Sequence, residues 1–166
     1  MARWRAPRPK SSPYITADGE VALKRELQEL WRLRRQDVVP ALSAAAAEGD
    51  RSENAEYIYR KKQLAEIDRR IRYLSRRLDE VEVVRQAPSS RERIYFGAFV
   101  VLENEQGERL RYRVVGADET DAEKGYISVD SPLARALVGR QVDESVTVQR
   151  PEDVARFRVL QIDYEQ

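Results

Sequence analysis

The chain has 166 residues, of which 36% are charged, yet 30 Lys and Arg against 29 Asp and Glu leave a net charge of only +1. That balance gives no global field for indiscriminate nucleic-acid binding, so any such contact must come from a local patch. Cys and His are both absent, which excludes disulfides, thiolate nucleophiles, Cys zinc sites and the commonest general base, and leaves carboxylates, Lys, Tyr and hydroxyls for chemistry. The high charge with few Gly and Pro suits long solvent-facing helices, in one domain or two small ones. No apolar run is long enough for a membrane span and the start lacks a signal-peptide core, so a cytoplasmic protein with no membrane partner is expected.

Residues 1–13, MARWRAPRPKSSP, are basic and aperiodic and read as a flexible tail. Thr16 is a natural N-cap, with Asp18 and Glu20 in the first turn where the helix dipole favours acids. A first helical pattern then runs over roughly residues 17–48, with Leu23, Leu27 and Leu30 on one face and Trp31 and Leu42 nearby. Pro40 interrupts it. An interior proline removes a donor and clashes one turn back, so a bend is expected near residues 36–40. Ala44–Ala47 should let a partner helix approach closely, and Gly49 is a natural helix stop.

Gly49-Asp50-Arg51-Ser52-Glu53-Asn54-Ala55-Glu56-Tyr57 separates this helix from a second pattern over roughly residues 54–85. A short turn makes its two helices antiparallel neighbours, each about 45 Å long at about 1.5 Å per residue. Asp50 or Ser52 could cap the second helix, and Asp50-x-x-Glu53 also matches a capping box. Both carboxylates would stay ionised beside a helix N-terminus, the state needed to hold Mg²⁺. A convex tip cannot complete such a site alone, so another molecule would have to supply the remaining ligands.

The second helix carries a heptad seam at Tyr57, Leu64, Ile67, Ile71, Leu74, Leu78 and Val81, broken at Arg60. The first helix is its expected partner. Lys62, Arg69 and Arg76 then fall at outward positions, with Arg70, Arg77 and Arg72 beside them. This basic stripe reads either as ordinary solvation, paired with Glu66, Asp68, Asp79 and Glu80, or as a track for phosphates. Residues 87–93 form a linker that includes Ala87-Pro88-Ser89-Ser90. Beyond it, strands are expected over 94–102, 109–115, 126–129, 146–148 and 157–162, with a short helix capped by Ser131, opened by Pro132 and closed at Gly139. The chain therefore divides into residues 14–86, a coiled-coil hairpin with its acidic tip at 49–54, and residues 94–166, a small α+β domain with no visible pocket chemistry.

GDRSENAEY, with YRKKQLAEIDRRIRYLSRRL after it, resembles the GreA/GreB transcript cleavage factors of bacterial RNA polymerase. The Arg51-Ser52 pair and the DRRIRYL run from Asp68 look like the GreB branch. The resemblance covers roughly residues 14–163 and implies an FKBP-like fold for the C-terminal domain. It implies that this domain docks at the rim of the polymerase secondary channel through the segment holding Ser131, Pro132, Leu133, Ala134 and Arg135. Two departures stand out: Asp143 occupies a usual turn-glycine position, and Pro151-Glu152-Asp153 replaces a Gly-richer turn.

The resemblance further implies a monomeric accessory factor without enzymatic activity of its own. Its arm would enter the channel and set Asp50 and Glu53 beside the catalytic Mg²⁺. There they would help hold a second Mg²⁺, so that the polymerase cleaves the 3′ end of its own backtracked RNA. Ser52, Asn54 and Tyr57 would be auxiliary tip residues, though Ser52 and Asn54 also suit a helix start. The basic stripe would guide the RNA 3′ end. The rival is a channel-occupying protein that modulates transcription without cleavage, as some Gre relatives do. A chaperone-like clamp is a second rival, and it leaves the tip acids without a purpose.

Overall fold

The computed structural model describes residues 9–48 and 54–164. The chain divides into two bodies, one spanning Glu20–Val81 and the other formed by residues up to Gly19 with those from Glu82 on. The expected boundary at residue 86 thus falls earlier, because residues 82–84 are not helix.

The helical body contains most of α1 (Ala17–Leu33), a π-helical segment Arg34–Val38, α2 (Val39–Ala46) and α3 (Ala55–Glu80). The disturbance expected before Pro40 takes the form of this π turn. Val39 N–H bonds the carbonyl of Arg34, five residues back, and Pro40 then sits in the first turn of α2, where no donor is demanded. The wide turn also reassigns the seam. Continuing from Leu27, Leu30 and Leu33, an unbroken α-helix would point Asp37 inward. The five-residue step instead brings in Val38, which is fully buried with Ile67 and Ile71. Trp31 stays outside, 47% exposed.

Along α3 the expected seam holds: Ile67, Ile71 and Leu74 are buried, while Tyr57, Leu64 and Leu78 are half-buried. Ala45 of α2 is buried at its far end, as the small-residue run predicts. Two ion pairs stitch the hairpin across its length, Arg34–Asp68 at 2.8 Å and Arg70–Glu26 at 2.7 Å.

The second body begins with residues the sequence assigns to a tail and a helix end. β1 (Tyr14–Thr16) pairs in parallel with β2 (Glu82–Val84), so α3 ends at Glu80 rather than near 85. The β-branched Val83 and Val84 favour the extended ladder over another helical turn. Ser12 and Pro13 are not free tail either: Ser12 N–H donates to Asp130 Oδ2 at 2.8 Å, and Pro13 O accepts from Glu82 N–H at 2.8 Å. Thr16 is the cap expected of it, accepting from Gly19 N–H at 3.0 Å. The same threonine donates its hydroxyl to Glu119, whose other oxygen takes the N–H groups of Thr16 and Gly116. A Cβ at Gly19 would collide with that carboxylate, which explains a glycine in a helix's first turn.

The remainder is an α+β domain. Five strands lie in the order β5-β4-β3-β7-β6, with β3 (Phe99–Asn104), β4 (Arg109–Val115), β5 (Tyr126–Ser128), β6 (Ser145–Gln149) and β7 (Val154–Asp163). All pairings are antiparallel except β4 with β5. α4 (Pro132–Leu137) belongs to the core on one sheet face, where Val100, Leu102, Val114, Leu137 and Val159 are wholly buried. Asp143 adopts φ of 71°, the left-handed conformation for which Gly is the usual choice and Asp a tolerated one.

Candidate functional site at the hairpin tip

The site is built on the junction between α2 and α3. Its expected ligands Asp50 and Glu53, with Ser52, lie outside the described residues. What is described is how the junction is closed. Asn54 has extended backbone (φ −84°, ψ 97°), and its Oδ1 accepts the N–H of Tyr57 at 3.0 Å, which makes it the N-cap of α3. Its Nδ2 simultaneously donates to the carbonyl of Ala45 at 2.7 Å. One side chain therefore caps the outgoing helix and ties it to the incoming one. Capping by Asp50 or Ser52 is corrected to Asn54, and a capping box on Asp50 and Glu53 would need a helix starting earlier than Ala55.

Beyond the cap, Tyr57 is half-buried, with Lys61 Nζ 6.0 Å from its ring centre. Arg60, the residue that breaks the seam, reaches back to Glu56 at 2.8 Å and forward along α3 to Gln63 at 3.1 Å. The hydrogen bond to Glu56 raises the Arg60 guanidinium above its ordinary value. No group of three or more acidic residues that could hold a metal occurs among the described residues.

The basic stripe contracts in the structure. Lys62, Arg69, Arg72 and Arg76 are exposed on α3. Arg77 is not; it is 7% exposed, because it lies three residues beyond the fully buried Leu74 and shares its face. Arg70 is exposed but committed, its guanidinium gripping both oxygens of Glu26 on α1 at 2.7 and 3.0 Å. Heptad position alone could not distinguish these two from free cations.

In the C-terminal domain, Ser131 caps α4 by accepting from Ala134 N–H at 3.2 Å, and Pro132 and Arg135 are exposed. Leu133 packs partly into the core, and Ala134 is wholly buried, so it presents no docking surface. The exposed apolar residues next to them are Val138 and Val142, which the sequence reading passed over.

Two family profiles together match most of the chain: "Transcription elongation factor, N-terminal" over residues 13–83 and "Transcription elongation factor, GreA/GreB, C-term" over residues 88–164. The chain belongs to the GreA/GreB family. Relatives named transcription elongation factor GreB place it with that branch. One from Xanthomonas axonopodis pv. citri is 58% identical, covering 99% of this chain and 98% of its own. Another from Pseudomonas aeruginosa is 52% identical with the same coverage. Among solved structures, the GreA factor homolog 1 (Gfh1) protein of Thermus thermophilus is 29% identical over 90% of this chain and 97% of its own, with a TM-score of 0.40. No helix among the described residues is long and apolar enough to cross a membrane.

Proposed function

We propose that this GreA/GreB-family chain enters the secondary channel of bacterial RNA polymerase as a monomeric cytoplasmic accessory factor and stimulates hydrolysis of the 3′ end of backtracked RNA. The observation that carries the reading is the double bond-making of Asn54. The cap position of α3 is filled by Asn54, a residue other than Asp50 and Glu53, and the same side chain ties α3 to α2. Asp50 and Glu53 would then offer a hard-oxygen donor pair of the kind Mg²⁺ takes, one or two at a time, alongside phosphate oxygens. Asp50 and Glu53 would hold the ion jointly with the polymerase. When bound, Mg²⁺ supplies Lewis-acid stabilisation and an activated water for phosphodiester cleavage.

The chain's own residues do the positioning. Asn54 ties the start of α3 to Ala45 of α2. Lys62, Arg69, Arg72 and Arg76 line one exposed side of α3, where they contact phosphates without reading bases. Pro132 and Arg135, flanked by Val138 and Val142, form the surface that holds the C-terminal domain on the polymerase.

The test is RNA cleavage in stalled, backtracked polymerase complexes with Mg²⁺. Asp50→Asn and Glu53→Gln should lower cleavage at least about 100-fold, the upper end of what even an outer-shell metal residue costs. Polymerase binding should stay within a few-fold. Full cleavage by both variants would overturn the reading, and tight binding without cleavage by the native chain would make it a channel-occupying modulator.

A further inference from the structure

The face of the five-stranded sheet turned away from α4 takes no part in the function described above. Strand register places its side chains in rows. Arg113 of β4 lies between Tyr126 of β5 and Phe99 of β3, with Asp163 of β7 next along the row. The following row is Arg111, Val101 and Gln161, and the one after it Arg109, Glu103 and Arg158. Arg156 extends the set along β7, opposite Thr147. The cations therefore recur every second residue, about 6.8 Å apart along a strand.

Among the outward positions described on these strands, the opposing carboxylates are Glu103, which pairs with Arg158 at 3.3 Å, and Asp163. Arg109, Arg111 and Arg156 are exposed and enter no ion pair among the described residues. In a chain of net charge +1, this is a segregated positive surface.

At its β5 end the face dips into a shallow cavity of about 290 Å³ lined by Phe99, Arg111, Arg113, Lys124, Tyr126 and Asp163. The Arg113 guanidinium stacks 4.5 Å from the Phe99 ring centre and 5.6 Å from that of Tyr126, and Lys124 lies 5.8 Å from the same tyrosine. The Arg113 Nε–H donates to the carbonyl of Gly97 at 3.3 Å, and its terminal N–H groups bond no described residue, so they can meet an oxyanion. Rings interleaved with cations on an open sheet are also how single strands are bound without sequence preference. The large exposed hydrophobic residue on this face is Val154, at the β7 end one step on from Arg156, while Phe99, Val101 and Tyr126 are half-buried. Cations dominate the exposed side chains of the rows, unlike the aromatic-rich, charge-depleted centre of a protein interface.

We propose that this sheet face binds the phosphodiester backbone of single-stranded RNA, independently of the arm and of transcript cleavage. The proposal does not rest on the tip chemistry and needs no polymerase.

The experiment titrates a fluorescein-labelled 15-nucleotide single-stranded RNA by anisotropy at several salt concentrations. It uses the full chain carrying Lys62→Glu, Arg69→Glu, Arg72→Glu and Arg76→Glu, so that the exposed arm stripe cannot supply the signal. Binding should persist in that background. Adding Arg109→Gln and Arg111→Gln should weaken it about tenfold or more and lower the slope of log affinity against log salt by about 1.4, two phosphates at about 0.7 each for single strands. Arg156→Gln alone should lower the slope by about half as much, which serves if the double substitution disturbs the fold. Unchanged affinity and slope would overturn the proposal. So would equal displacement by an oligoglutamate of matched charge, which would mark the face as a dock for acidic protein segments.

Discussion

The two bodies of this chain solve the stability problem differently. The C-terminal domain buries a continuous layer in which Val100, Leu102, Val114, Leu137 and Val159 are at most 1% exposed. The helical body has a single seam, whose buried members Leu23, Val38, Ala45, Ile67, Ile71 and Leu74 are supplemented by half-buried leucines, ion pairs and one asparagine. A seam spends few residues on a core and leaves most of its surface for contacts with other molecules. The cost is that polar tethers count for more in the arm than in the sheet.

Substitutions can press on this contrast. Leu102→Ala should destabilise the C-terminal domain by about 2–5 kcal/mol, since a wholly buried leucine leaves a cavity in a layer with little room to relax. Leu64→Ala, at a half-buried seam position, should cost nearer 1–2 kcal/mol. Chemical denaturation followed by near-UV signals compares the two, and equal costs would erase the distinction.

Asn54→Ala comes next, with an expected loss of about 0.5–2 kcal/mol from the missing cap. Here activity should separate from stability. If the cap itself governs activity, cleavage in backtracked complexes should fall several-fold more for Asn54→Ala than for Asn54→Asp, which keeps the cap acceptor but loses the donor to Ala45. If the tie to Ala45 governs activity, Asn54→Asp should be impaired as much as Asn54→Ala, and that equality is the outcome we expect.

Glu26→Gln should cost less than about 1 kcal/mol, the ordinary range for a solvent-exposed pair, and the loss should shrink as salt is added. It would also remove the carboxylate that holds Arg70, a change visible as a steeper salt dependence of RNA binding.

The smallest effect is a pH dependence in the sheet domain. Burial raises the Tyr164 hydroxyl above its ordinary value of 10.0, where it donates to Arg93 O and accepts from Tyr95 N–H. An acid held above its unfolded value keeps its proton longer when folded. Its contribution is therefore whole below about pH 10 and is lost as pH rises through the folded value. Urea midpoints between about pH 9 and about pH 11 should fall more for the native chain than for Tyr164→Phe.

Much of this architecture is written locally in the sequence. The heptad spacing of α3, the Ser131-Pro132 start of α4, the turn between β3 and β4, where Gly107 N–H bonds Asn104 O at 3.1 Å, and the Thr16 cap each depend on residues within a few positions of one another. Short-range sterics and capping chemistry decide them, and the tip motif names the family for the same reason.

Tertiary contacts decided the rest. A step of five from Leu33 to Val38 was readable as a π turn only once Ile67 and Ile71 stood opposite it. The β1–β2 ladder joins strands nearly 70 residues apart, and no local preference pairs them. Whether an arginine on α3 is a free cation depended on what faced it: Arg70 met Glu26, and Arg77 fell beside Leu74. The arginines of β4 and β7 lie far apart in the chain, and only strand register gathers them on one face. Local preferences shape elements, but burial and charge are properties of neighbours, which the chain acquires when it folds.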